Sequence, residues 1–328
     1  MNFRERLVKL NFCSRKVKRP EGNLFTSNSK RQAQRFMIAT VIFVLTTLLI
    51  VYSSTSGNSS FYLKEDVGYK FIARQSSNLK EWNVQDGYIP VIGNKTLKLH
   101  CSQCALISSS SQTLGTSLGS EIDQTECIIR MNDAPITGYE EDIGNRTTLR
   151  VVAHSSISQF LKRRKEFLQR GQETIFIFWG PYSRMRRDGK SNVFRIIKQE
   201  IAIGANMSVF TVSPKRMKQF DDLFQMETGQ DRKQSHSWLS TGWFTMVIAV
   251  GICDSLHVYG MIPYNHCRKP HHKNLPYHYY NTKSNDECAT YLTHEHARMG
   301  NHHRFITEKH VFARWAEHYN ITFSHPSW

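Results

Sequence analysis

The sequence predicts an α/β fold: one Rossmann-like domain on a single, mostly parallel sheet, carried behind one N-terminal transmembrane helix. Three observations lead there. Short apolar, β-rich runs alternate with amphipathic segments, a small-residue loop follows the first of these runs, and a capped apolar segment precedes the last. The runs CALISSS (104–110), CIIRM (127–131), LRVVAHS (149–155), TIFIFWG (174–180), SVFTV (208–212) and SLHVYGM (255–261) read as buried strands. Between them FLKRRKEFLQR and NVFRIIKQEIAIG read as helices. Such alternation places helices over the faces of a parallel sheet.

The N-terminal quarter is organised differently. Residues 1–35 hold +8 of the formal net charge of +16. The body is therefore only mildly basic, and it lacks the aromatic-and-basic array of a nucleic-acid binder. A small anionic substrate suits it equally well. Phe36–Tyr52, FMIATVIFVLTTLLIVY, is uncharged over 17 residues, near the lower limit for a bilayer span. Lys30, Arg31 and Arg35 lie on its N-terminal side, which leaves the tail cytosolic and the body across the membrane. The rival, a cleaved signal peptide, fits poorly with so long a basic region. The expected organisation is a cytosolic tail (1–35), a signal anchor (36–52), a polar stem (53–86) and a lumenal domain (87–328).

Cys13 falls in the tail, and six cysteines lie beyond the membrane. An even number in an oxidising lumen reads as up to three disulfides, with fifteen pairings open. Cys101-x-x-Cys104 has no second C-x-x-C to complete a zinc site. Sequons begin at Asn58, Asn94, Asn145, Asn206 and Asn320, all beyond the membrane, and each permits N-glycosylation.

In parallel sheets ligands bind beyond the C-terminal strand ends. Ser108–Gly119, SSSSQTLGTSLG, follows the first strand there; it either lets backbone amides approach a phosphate or is an ordinary strand-to-helix turn. In Ser237–Met261, SWLSTGWFTMVIAVGICDSLHVYGM, Ser240 or Thr241 can cap an apolar helix. Its start either receives an anion or merely begins a buried helix. Near the C-terminus, NHHRFITEKH (301–310) gathers three histidines and a glutamate. Its spacing matches neither H-E-x-x-H nor a zinc finger, and His271, His272, His294 and His296 add imidazoles without a pattern.

Taken in order, these segments resemble the animal sialyltransferase family. Residues 104–154, CALISSSSQTLGTSLGSEIDQTECIIRMNDAPITGYEEDIGNRTTLRVVAH, are similar to its L motif, and 237–261 to its S motif. HYYN (278–281) is similar to motif III, and HRFITE (303–308) to its H-x4-E pattern. RMNDAP, FIFWGP, STGWFTM, PYHYY and HHRFITEK look most like the branch that sialylates N-acetylgalactosamine at O6.

The resemblance implies a variant GT-A fold and a type II Golgi membrane protein that transfers sialic acid from CMP-sialic acid. The acceptor would be a sialylated Galβ1-3GalNAc-type glycan, on gangliosides or on O-linked glycoproteins. His303 would be the general base, for which an imidazole with an ordinary pKa of about 6.5 is suited. His278 would stabilise the departing phosphate. Ser109, Asn132, Ser240, Thr241 and Gly242 would bind the donor, and Glu308 completes its motif without an evident job. Cys104–Cys253 and Cys267–Cys288 would be bridged, with Cys101–Cys127 the remaining pair. Motif III usually ends in an acidic residue, and here Asn281 stands there.

No D-x-D occurs in the chain, and a CMP leaving group carries a single phosphate. No metal or other cofactor is therefore expected. Two other classes stay in view: a catalytically inactive lumenal glycan-binding protein, and a membrane-tethered hydrolase using the carboxylates of SEIDQTE or GYEEDIG.

Overall fold

The protein is described by a computed structural model over residues 34–49, 87–169, 174–203, 207–270, 272–297 and 302–328. It divides into two units, Met1–Lys70 and Phe71–Trp328. In the first, residues 34–49 form helix α1, with side chains almost all exposed. Among the described residues no helix is long and apolar enough to cross a membrane. The expected anchor runs past α1 into residues 50–52, which lie outside the described residues. So do most of the expected tail, the expected stem, Cys13, Asn58, Asn206 and His271.

The second unit is a sheet covered on both faces. Its strands are β1 (Tyr88–Pro90), β2 (Cys101–Ile107), β3 (Cys127–Met131), β4 (Leu149–Ala153), β5 (Ile175–Trp179), β6 (Ser208–Val212), β7 (Cys253–Tyr259) and β10 (Ile321–Ser324). They lie in the order β1-β6-β5-β4-β3-β2-β7-β10, and β8 (Pro276–His278) and β9 (Asn281–Asp286) form a separate two-stranded hairpin. Every pairing in the large sheet is parallel except β1 with β6 at the edge. The helices are α2 (Gly119–Gln124), α3 (Glu140–Ile143), α4 (Ile157–Lys162), α5 (Arg164–Gln169), α6 (Asn192–Ile196), α7 (Pro214–Thr228), α8 (Thr241–Ile252), α9 (Glu287–His296) and α10 (Phe305–His318).

Period-two alternation explains the two cores. Along β5, Phe176 and Phe178 pack with Phe160 and Phe167 on one face, while Ile177 and Trp179 pack with Phe220 and Phe244 on the other. Helix α8 is apolar all round and almost wholly buried, as a helix enclosed between the sheet, α7 and α10 must be. Three disulfides join Cys101 to Cys127, Cys104 to Cys253, and Cys267 to Cys288. These are the three expected pairs. The second ties β2 to β7 across 149 residues of chain.

The expected sheet is present, with local differences. β2 begins at Cys101 and ends at Ile107, so Ser108–Ser110 belong to the loop that the sheet presents. The helix expected over 160–170 is two short helices that break at Arg163. The one expected over 192–204 widens from α6 into a π-helix, Ile197–Ile203. Sequence reading did not distinguish β1, the β8–β9 hairpin, α7, α9, α10 or β10.

The strand order fixes where a ligand can enter. From β2 the chain builds outward through β3, β4, β5 and β6, then returns to β7 on β2's other side. The sheet's direction of growth reverses there, and a crevice opens beyond the C-terminal strand ends.

Candidate active site

Four strand ends converge on that crevice. Ser108–Ser110 follow β2, Asn132 follows β3, Ser155 and Ser156 follow β4, and Met261 follows β7, and all line one cleft. Ser240, Thr241 and Gly242 at the start of α8, His278 at the end of β8, and His303, Glu308 and Lys309 around the start of α10 close it. Every residue expected to act on donor or acceptor is therefore in one place, although 194 positions separate Ser109 from His303.

The loop after β2 is shaped by its serines. Ser108 Oγ donates to the Gly260 carbonyl at 2.8 Å and accepts from the Ser110 amide. Gly260 has φ +76°, and a Cβ there would meet Thr113 Cγ2 at 2.3 Å, so only glycine fits this approach of the β7 end to the loop. Ser110 Oγ donates to Glu287 Oε2 at 2.9 Å. Glu287, buried at the start of α9, also accepts from Gln112 and Tyr291.

Asn132 follows β3 in the left-handed region, φ +47°, which asparagine tolerates better than most residues. Its Oδ1 accepts from the Ala153 amide at 3.0 Å, and its Nδ2 lies 3.4 Å from Thr241 Oγ1. It thereby joins the two segments that resemble the L and S motifs.

The start of α8 is held from the other side. Ser240 caps the helix, accepting from the Trp243 amide at 3.1 Å. Glu308 Oε1 accepts from the Ser240 amide at 2.8 Å, and its Oε2 accepts from the Ser240 hydroxyl. Burial pushes the Glu308 carboxyl up to about 8, while the two Ser240 hydrogen bonds and Lys309 oppose the rise. Glu308 thus locks the cap of α8, whose start lines the cleft. His303 precedes α10 and Glu308 lies in its first turn, which is how an H-x4-E pair off a common helical face still meets in one cleft. The amides of Thr241 and Gly242 find no protein partner among the described residues and carry the positive end of the helix dipole.

The two histidines are held differently. His303 Nδ1 is 2.8 Å from the Trp238 carbonyl. A carbonyl only accepts, so Nδ1 carries the proton and Nε2 keeps a lone pair. Burial holds the His303 pKa below the ordinary value, with His294 and His302 adding to the effect and the Trp238 bond opposing it. Nε2 is thus available as a base. His278 Nδ1 is 3.4 Å from the Ser109 carbonyl, and its ring stacks on Tyr280 at 5.0 Å between centroids. Burial lowers its pKa too, against the Ser109 bond and Asp133.

Glu287 and Lys309 were not singled out in the sequence. Lys309 is buried with its ammonium 4.3 Å over the Tyr291 ring, and burial lowers its pKa to about 8. It follows Glu308 directly in HHRFITEK, so the motif pointed beside it. Nothing local marks Glu287, which meets the loop only through the fold.

The hydrolase carboxylates are occupied elsewhere. Asp123 accepts from the Asn145 and Arg146 amides, Asp142 from Gly115 and Ser117, and Glu121 from Tyr259. None lines the cleft. Among the described residues, His272, Asp286 and Cys288 form one group of metal-ligating type, but the Cys288 sulfur is bonded to Cys267. Asn281 is exposed on the β8–β9 hairpin, paired with His278. Asn94, Asn145 and Asn320 are exposed.

Fold and cleft together define a Rossmann-like α/β protein whose crevice gathers a capped helix start and two histidines. Comparison with known proteins makes the class specific. The profile of glycosyltransferase family 29 (sialyltransferase) matches residues 56–318. The chain is 55% identical over 301 residues to human alpha-N-acetylgalactosaminide alpha-2,6-sialyltransferase 6, covering 92% of this chain and 89% of that one. It is 44% identical over 243 residues to human alpha-N-acetyl-neuraminyl-2,3-beta-galactosyl-1,3-N-acetyl-galactosaminide alpha-2,6-sialyltransferase, covering 74% and 80%. A crystal structure of a mammalian sialyltransferase aligns with TM-score 0.44 and 20% identity over 68% of each chain. The chain belongs to glycosyltransferase family 29 and is a sialyltransferase.

The Glu308 clamp makes a direct prediction. Glu308→Ala leaves the buried Ser240 amide without its acceptor and should cost about 1–3 kcal/mol of stability, with weaker CMP binding. Glu308→Gln keeps that acceptor and should recover most of both. Thermal unfolding and CMP titration check this, and a Glu308→Ala protein as stable as the parent contradicts it.

Proposed function

We propose that the chain transfers sialic acid from CMP-sialic acid to O6 of N-acetylgalactosamine in sialylated Galβ1-3GalNAc glycans, with gangliosides as the acceptors. The step is a single inverting displacement without a metal. The observation that carries this reading is the His303 tautomer, which leaves an unprotonated Nε2 facing the same cleft as the α8 start and His278.

The acceptor hydroxyl gives its proton to His303 Nε2 as its oxygen forms a bond to the anomeric carbon. The bond from that carbon to the phosphate oxygen breaks, and its electron pair leaves with CMP. The Thr241 and Gly242 amides and the His278 ring meet the charge that develops on the phosphate. Ser109 and Asn132 hold the nucleotide. The family branch and the acceptors named for the relatives support O6 of N-acetylgalactosamine. The arrangement is a variant GT-A type in which helix amides and an imidazole serve where other transferases use D-x-D and a divalent ion.

The chain is placed as a single-pass type II protein of the Golgi membrane with 1–35 cytosolic, 36–52 as anchor, 53–86 as stem and 87–328 lumenal. Three disulfides and the exposed sequons at Asn94, Asn145 and Asn320 support an oxidising, glycosylating compartment for the body.

His303→Ala should reduce transfer by about 10²–10⁴-fold while CMP binding stays near the parent's. The assay uses CMP-sialic acid with sialylated gangliosides and, in parallel, sialylated Galβ1-3GalNAc glycopeptides. Near-normal turnover refutes the base, transfer to glycopeptides alone refutes the ganglioside assignment, and no transfer to either favours a glycan-binding role. Transfer should also persist in EDTA, and its loss with recovery on adding a divalent ion contradicts the metal-free step.

A further inference from the structure

His294 is one of the imidazoles that formed no pattern in the sequence. In the fold it lies on the last turn of α9, directly behind His303. The His303 backbone amide donates to His294 Nδ1 at 3.2 Å, and the two rings are parallel, 6° apart in plane, with centroids 5.7 Å apart. Phe305 packs against both rings, at 5.2 Å from His294 and 5.1 Å from His303. His294 itself does not line the cleft.

Donation from an amide to Nδ1 requires that nitrogen to be unprotonated, so His294 holds its proton on Nε2. Protonating Nδ1 would set one N–H against another, break the bond that anchors the His303 backbone, and place a cation against the ring of the base. We infer that His294 is a positioning residue for His303, and that the base is competent only while both imidazoles are neutral. This rests on the proposed role of His303 as the general base.

The other groups around His294 leave its charge to this pairing. Burial disfavours a charge on His294, and buried His302, on the same segment before α10 as His303, adds to that. The Arg304 guanidinium is turned to the His294 and Glu295 carbonyls and to Ser235, not to the ring. The Glu295 carboxylate is taken by the Ile306 amide and by Thr307 at the start of α10. His296 faces the Leu292 carbonyl of its own helix. On the loop before α8, Trp238 offers its carbonyl to His303 alone of the two.

The test compares the wild-type chain with His294→Asn and His294→Ala. Asn can offer Oδ1 to the His303 amide and does not titrate. For the wild type, the acid limb of log(kcat/KM) against pH should bend from a slope of one towards two, as coupled sites require. For His294→Asn the slope should remain one. His294→Ala, lacking the acceptor, should fall roughly tenfold to a hundredfold below His294→Asn on the plateau. An acid limb for His294→Asn that superimposes on the wild type's overturns the inference, as does a His294→Ala plateau equal to that of His294→Asn. Histidine-selective ¹⁵N NMR of the same proteins supplies a readout independent of transfer. His294 should show the Nε2–H tautomer, and its titration should move when His303 is replaced by Asn. Independent titrations overturn the pairing whatever the activity. Coupled titrations in a chain that transfers nothing support the pairing and reject the proposed reaction instead.

Discussion

A buried carboxylate gripping a serine holds this site together. Glu308, in the first turn of α10, accepts both the amide and the hydroxyl hydrogen of Ser240, the residue that caps α8. Glu287, at the start of α9, does the same kind of work on Ser110 in the loop after β2. An unsatisfied polar group at such depth is expensive, so each glutamate fixes its serine in one place. The consequence is that two C-terminal helices set the geometry of the loop after β2 and of the start of α8. Removing either clamp frees a ligand-facing segment without touching the base.

That dependence explains the division between what the sequence showed and what it hid. Strands such as CIIRM and SVFTV were legible because a parallel sheet buried on both faces demands unbroken apolar runs. Ser240 was legible as a helix cap from the residue type and the apolar run behind it. The β8–β9 hairpin was not, since NTKSND is polar and pairs only with three residues. α10 was also missed as a helix, because Glu308 and Lys309 sit on its buried side and blur the apolar stripe. The function of Glu308 was invisible for a related reason: its partner is 68 positions away. Glu287 and His294 had no local signal whatever. They matter only because the fold brings α9 against the loop after β2 and against His303.

The electrostatics of the cleft are set by burial more than by net charge. Half of the formal excess belongs to the first 35 residues of the sequence. In the cleft, desolvation lowers the pKa of His278, His303 and Lys309 and raises that of Glu308, and behind the loop after β2 it raises that of Glu287. Each shift favours the neutral form, and an arriving anion opposes it for His278, His303 and Lys309. For His278 the effect has a direction. With Nδ1–H turned to the Ser109 carbonyl, donation from Nε2 requires the doubly protonated ring, so in the proposed reaction the phosphate would draw a proton onto it. His303 is held in the opposite state, neutral and accepting, by the Trp238 carbonyl.

The central claim is that one cleft binds the donor phosphate between the α8 start and His278 while the neutral Nε2 of His303 faces the acceptor. A crystal structure of the chain with CMP tests it most directly. The account predicts phosphate oxygens within about 3 Å of the Thr241 or Gly242 amide and of His278 Nε2, with Glu308 still on Ser240 and His303 Nδ1 still on Trp238. CMP bound away from the α8 start, or with His278 turned from the phosphate, would contradict it.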